Sequence, residues 1–214
     1  MSLCKVPMSQ VAYLTPGKRE QTKVANRQAI LDAAREVFGE LGYETATVRD
    51  IIRRTGLAAG TFYNYYRSKE EVFAALADDG ARRFAPILKG LRGKGYSFED
   101  FVRKAIAAYF DFIAEEQRTW IERRPAGEPH PHVQGETPEM AAVFAEIRDA
   151  LAEDIAQRTG PFADPDYMAA ACIAIAREVG DKMLERRPVD TKAAAEFAVT
   201  MILGGLKGLP KTLG

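Results

Sequence analysis

Apolar residues recur along this chain at intervals of three and four, the period that lays one face of an α-helix against a core. Ile30, Ala34, Val37 and Leu41, with Leu31 and Phe38 beside them, predict a first helix over about 24–41, ended by Gly42. Thr47 is a natural N-cap for a second helix carrying Val48, Ile51, Ile52 and Thr55. Gly56 stops that helix, because glycine takes a left-handed conformation without a Cβ clash. A third short helix is expected over 58–66, with Phe62 and Tyr66, four apart, as core plugs. Ser68, with Glu71 three residues on as its capping-box partner, opens a fourth whose buried face is Val72, Phe73, Leu76 and Ala77. It should run towards Phe84, with Pro86 kinking or ending it, since proline lacks the donor that its turn needs.

Beyond a turn marked by Gly90, Gly93 and Gly95, the same period continues. Ser97 caps a helix to about Arg123, with Phe98, Phe101, Val102, Ile106, Tyr109, Ile113 and Trp120 on its apolar side. After a proline- and glycine-rich loop, a helix from Thr137 to about Thr159 carries Met140, Val143, Phe144, Ile147 and Leu151. Asp164 or Asp166 caps the next, which lasts until Pro188; Asp190 or Thr191 caps the last, out to Leu209. The pattern is that of an all-α chain with a small N-terminal helical unit and a larger C-terminal one. The expected divisions are a flexible arm over 1–20, a three-helix unit over 21–67 and a helical body over 68–214.

Composition changes this picture little. The 214 residues, 47% hydrophobic and 28% charged, suit a globular protein. The longest apolar run, Tyr167 to Ala176, is about half of the ~18–20 residues that span a bilayer. The N-terminus lacks a signal pattern, and two cysteines, Cys4 and Cys172, suggest no disulfide framework, so a reducing cytoplasm is expected. Charge is more telling. The chain is neutral overall, yet residues 18–69 hold ten basic and six acidic side chains, a net +4 that leaves −4 for the rest. A positive module on a negative body suits binding to nucleic acid. Lys18, Arg19 and Lys23 form a basic arm at its start.

Two short helices around Gly56 make a helix-turn-helix, whose second helix can enter a DNA major groove. Gly56, Leu57, Ala58, Gly60, Thr61, Phe62, Tyr63, Tyr65, Tyr66, Ser68, Lys69 and Glu70 follow one another in a recognisable order. This run resembles the signature of the tetracycline-repressor (TetR) family of bacterial transcription regulators, Gly-Val-Ser-x-Gly-Thr-Leu-Tyr-x-Tyr/His-Phe-x-Ser/Asn-Lys-Glu. The likeness reaches back through Ile30, Leu31, Ala33, Ala34, Phe38 and Gly42, and covers roughly 24–76. Ala58 replaces the family's common serine, Ala59 a polar residue and Tyr66 a phenylalanine.

Candidate DNA contacts sort by chemistry. Thr47, Tyr63, Tyr65 and Lys69 can hold phosphates through hydroxyls and an ammonium, which fixes register rather than sequence; the resemblance implies that role for Thr47, Tyr63 and Lys69. Base reading falls to Ala58, Ala59, Gly60, Thr61, Asn64 and Arg49, with asparagine suited to adenine and alanine methyls to thymine methyls.

The body offers an apolar lining for a small effector: Phe84, Leu88, Phe101, Tyr109, Phe110, Ile113, Trp120, Met140, Phe144 and Cys172, with Tyr109, Arg118 and Arg177 as polar partners. The resemblance further implies a homodimer through the last two helices, which are rich in alanine and glycine. It also implies repression of a palindromic operator, relieved when the effector shifts the fourth helix. No cofactor motif is found. Two other readings stay open: a helical protein-interaction adaptor without DNA binding, and an enzyme using a metal on His130 and His132 or a reactive Cys172. Against the enzyme, the sequence holds no nucleophile elbow, no His-Glu-x-x-His helix and no paired-carboxylate motif.

Overall fold

A computed structural model describes residues 17–124, 126–127, 137–158 and 164–208, which form nine α-helices and no strand. Helix α1 (Lys18–Leu41) starts six residues before the expected position, so Lys18, Arg19 and Lys23 are helical rather than an extended arm. Its first turns are exposed, and Gly42, at φ 79°, ends it. Helix α2 (Val48–Thr55) is fixed by a reciprocal cap. The Thr47 hydroxyl accepts from the Asp50 N–H at 3.3 Å, and the Asp50 carboxylate accepts from the Thr47 N–H at 3.0 Å. Gly56, at φ 68°, closes α2 in the left-handed conformation.

Helix α3 (Ala59–Tyr63) is shorter than expected. Two demands unwind its last turn: Tyr66 must enter the core, and Ser68 must be extended to cap the next helix. The Ser68 hydroxyl accepts from the Glu71 N–H, and the Glu71 carboxylate accepts from the Arg67 N–H at 2.7 Å. Helix α4 (Lys69–Arg92) then runs straight through Pro86 instead of stopping there. Pro86 is exposed, so the carbonyl it leaves without a donor faces water, while Phe84, Leu88 and Leu91 hold both sides of it on the core. Gly90 consequently lies inside a helix, and the turn is made by Gly93 and Gly95.

The helix expected to reach Arg123 is two: α5 (Phe98–Glu116) and α6 (Arg118–Arg123), broken at Gln117. The break turns the chain so that Trp120 is buried and Thr119 meets α1. Helices α7 (Pro138–Arg158), α8 (Pro165–Leu184) and α9 (Thr191–Gly208) complete the body. Asp164 caps α8 through the N–H groups of Asp166 and Tyr167, and Asp190 accepts from the Ala193 N–H at 2.9 Å. The end expected for α7 at Thr159 and Gly160, and the last residue expected for α9, Leu209, lie outside the described residues.

Two apolar cores result. The first joins α1, α2, α3 and the start of α4 around Ile30, Leu31, Ile51, Phe62 and Val72. The second joins the far half of α4 with α5, α6, α8 and α9 around Phe84, Leu88, Phe110, Trp120 and Leu184. Between them, buried Asp79 of α4 meets Arg35 of α1 as well as Arg82 and Arg83 of its own helix, and Arg35 and Arg83 both reach Glu116 at the end of α5. One helix therefore belongs to both units, and its polar middle marks where they join.

Candidate DNA interface and effector core

The turn between α2 and α3 sorts its side chains sharply. Phe62 is wholly buried, and Tyr66 nearly so. On the other side Ala58, Ala59, Gly60, Tyr63 and Asn64 are exposed, Thr61 is half-buried, and Tyr65 is half-buried against the core. Tyr63 stands edge-on to Phe62, ring centres 5.5 Å apart, so the buried ring props the exposed one. The outward edge is thus a row of methyls, a bare glycine, a phenol and a carboxamide. Its N-cap, Ala58, offers no side-chain cap, which leaves the first N–H groups of α3 without a side-chain acceptor.

Thr47 is exposed beside this edge, but its hydroxyl is already engaged with Asp50. The hydroxyl and backbone N–H of Thr47 hold the Asp50 carboxyl below its ordinary range. Arg49 is exposed and makes no ion pair among the described residues. Lys69 has a different employment from the one its position suggests. Its ammonium donates to the carbonyls of Tyr43 at 2.9 Å and Glu44 at 3.1 Å, and sits 4.6 Å over the Tyr43 ring. Lys69 therefore fastens the α1–α2 turn to the head of α4, and one of its three donors is left for a phosphate.

Sequence reasoning missed Arg54, which sets the tilt of α2. Its guanidinium bridges Glu36 and Glu40 of α1, both at 2.6 Å, and Glu40 also faces Arg123 of α6 at 3.8 Å. The hydrogen bond from Arg54 holds the Glu40 carboxyl below its ordinary range. A signal was available: two glutamates four apart place two carboxylates on one face of α1.

In the body, Phe84, Leu88, Phe101, Phe110 and Trp120 come together as core, with Tyr109, Ile113 and Cys172 packed against them. The Tyr109 ring meets Phe84 at 5.4 Å and Phe110 at 5.8 Å. Burial, with the nearby Asp181 carboxylate adding to it, pushes the Tyr109 phenol up to about 12. Burial likewise pushes the Cys172 thiol up to about 11, the reverse of what a nucleophile needs. Met140 and Phe144 are half-buried on α7, whereas Val143 and Ile147 are its residues packed on this core. Arg118 and Arg177 are not brought in: both are exposed and pair with Glu115 and Glu178 of their own surface. Among the described residues no group of three or more His, Cys, Asp or Glu could hold a metal, and no helix is long and apolar enough to cross a membrane. His130 and His132 lie outside the described residues.

A three-helix head with an outward α3 edge, carried on a separate helical body, defines a helix-turn-helix protein. Family models narrow the class: the model described as bacterial regulatory proteins, tetR family, matches residues 30–76, and that of the MftR C-terminal domain matches residues 97–207. The chain belongs to the TetR family of bacterial regulatory proteins. It is 34% identical over 118 residues to the HTH-type transcriptional repressor Rv1474c of Mycobacterium tuberculosis, a match covering 53% of this chain and 58% of that protein. Over 194 residues it is 28% identical to the HTH-type transcriptional activator FasR of Mycolicibacterium smegmatis, covering 87% and 85%. Its fold superposes with a TM-score of 0.60 on the regulator FadR of Bacillus subtilis in complex with stearoyl-CoA, at 17% identity, covering 83% of this chain and 98% of that one.

Proposed function

We propose that this chain is a ligand-responsive transcriptional regulator, a repressor that binds a palindromic operator as a homodimer in the cytoplasm and leaves it when a mostly apolar effector enters the body. The observation that carries the reading is the α3 edge: Ala58, Ala59, Gly60, Tyr63 and Asn64 exposed together over buried Phe62. Tyr63, Thr47 and the free donor of Lys69 meet phosphates; Asn64, Arg49 and the Ala58–Thr61 stretch meet base edges. The functional division is a head over 21–67 and a body over 68–214, with 1–20 leading into it.

Dimerisation through α8 and α9 is supported by the outer side of α9. Phe197 and Met201 are more than half exposed, and a Cβ on Gly204 or Gly205 would meet nothing. An effector with a long apolar part is supported by the aromatic and aliphatic core between α4, α5 and α8, and the FadR complex makes a fatty acyl-CoA the first compound to try.

The experiment is a gel shift with duplexes from the DNA upstream of the chain's own gene, followed by selection of preferred sequences. Asn64→Ala should relax preference at one base pair, a discrimination of about 1–3 kcal/mol. An unchanged selectivity profile would remove Asn64 from base reading. Failure of the unaltered protein to bind any of these duplexes would favour a protein-interaction role.

A further inference from the structure

The first three turns of α1 have no duty in the head. Every residue from Lys18 to Ala25 is exposed, and the first wholly buried residue is Ile30. The helix therefore overhangs its core by roughly 18 Å at 1.5 Å per residue. The overhang is at the end away from the body, since it is the other end of α1, at Gly39 and Gly42, that packs on Thr119 and Arg124 of α6.

Arg19, Lys23 and Arg27 recur every four residues, so they form one stripe along this overhang. Its inner member, Arg27, lies beside the buried Tyr66 hydroxyl, in the segment that follows α3. The stripe thus starts next to the α3 edge and leads outward from it. Arg19 and Lys23 make no ion pair among the described residues, and Glu20, the acidic residue of this stretch, pairs with neither. Like charges four apart on a helix repel one another. A polyanion laid along the stripe would relieve that repulsion.

We infer that the α1 overhang is a second backbone-binding track, with Arg19 and Lys23 holding duplex phosphates that flank the base pairs read by α3. The inference rests on the DNA-binding reading and extends it: contact continues outside the half-site, through charge alone and without regard to sequence. Counterion release then gives it a measurable mark, because each phosphate neutralised adds about 0.9 to the slope of log affinity against log salt.

The test compares Arg19→Gln/Lys23→Gln with the unaltered protein on two probes. One is a bound upstream duplex trimmed to the edges of the α3 footprint; the other is the same duplex with ten more base pairs on each side. Thermal melting first checks that the variant is folded, as the exposure of both residues leads us to expect. The unaltered protein should bind the long probe more tightly and with a steeper salt slope, by about 0.9 for each added phosphate contact. The variant should bind both probes alike, with the slope of the short one. Equal affinity and slope for variant and unaltered protein on the long probe would overturn the inference while leaving the α3 reading intact. Absence of binding to either probe by the unaltered protein would overturn both.

Discussion

Phe62 and Tyr63 are neighbours in the chain with opposite duties, and substitution should separate them. Phe62 is wholly buried, so Phe62→Ala should cost about 3–5 kcal/mol, seen as a lowered thermal midpoint and lost DNA binding together. Tyr63→Phe removes one exposed hydroxyl, so it should leave the midpoint unchanged and weaken all duplexes alike. Glu40 gives a pH signature. Its carboxyl is held by Arg54 below the ordinary value of 4.5, so the unfolded chain takes up more protons between the two values. The stability it contributes is complete above 4.5 and is lost as pH falls through the lower, folded value. Melts of the protein and Glu40→Gln should differ near neutrality and converge in acid. At this scale the sequence tells inside from outside well, because burial follows period. Partners are harder to read: Lys69 reaches carbonyls 25 and 26 residues away, and a long side chain's choice among distant acceptors leaves no local mark.

Caps and left-handed glycines made the element boundaries legible where one residue decides them. Thr47, Gly56, Ser68, Ser97 and Asp164 all act where their chemistry places them. The errors lie where tertiary packing overrides local preference: α4 carries Pro86 because its two halves share a core, and the α5–α6 break at Gln117 serves the seating of Trp120. One close approach between elements was hidden because glycine's lack of a side chain shows only against its neighbour. A Cβ on Gly39 would lie 2.9 Å from the Thr119 methyl and 3.1 Å from its Cβ. Gly39→Ala should therefore wedge α1 from α6, at about 1–3 kcal/mol in chemical denaturation. Thr119→Ala, by removing the nearer atom, should restore part of that loss in the double variant.

On the scale of the whole molecule, the two cores are joined by charge as well as by α4. Asp79 is nearly buried among Arg35, Arg82 and Arg83, and removing it strands those guanidiniums. Asp79→Ala should cost about 3–5 kcal/mol, and calorimetry should resolve one unfolding transition into two as head and body uncouple. The all-α architecture and the head were open to sequence reading because a short motif and a steady helical period specify them. The arrangement of the body was less open, since Arg118 and Arg177 share a helical period with residues that face inward and are told apart only by packing. The bare edge at Ala58 and Ala59 has a consequence for descent. Neither methyl is buried and neither caps its helix, so exchanges at these two places leave the framework's folding untouched. A lineage can thus drift from one target sequence to another by altering two codons, with no repair needed elsewhere.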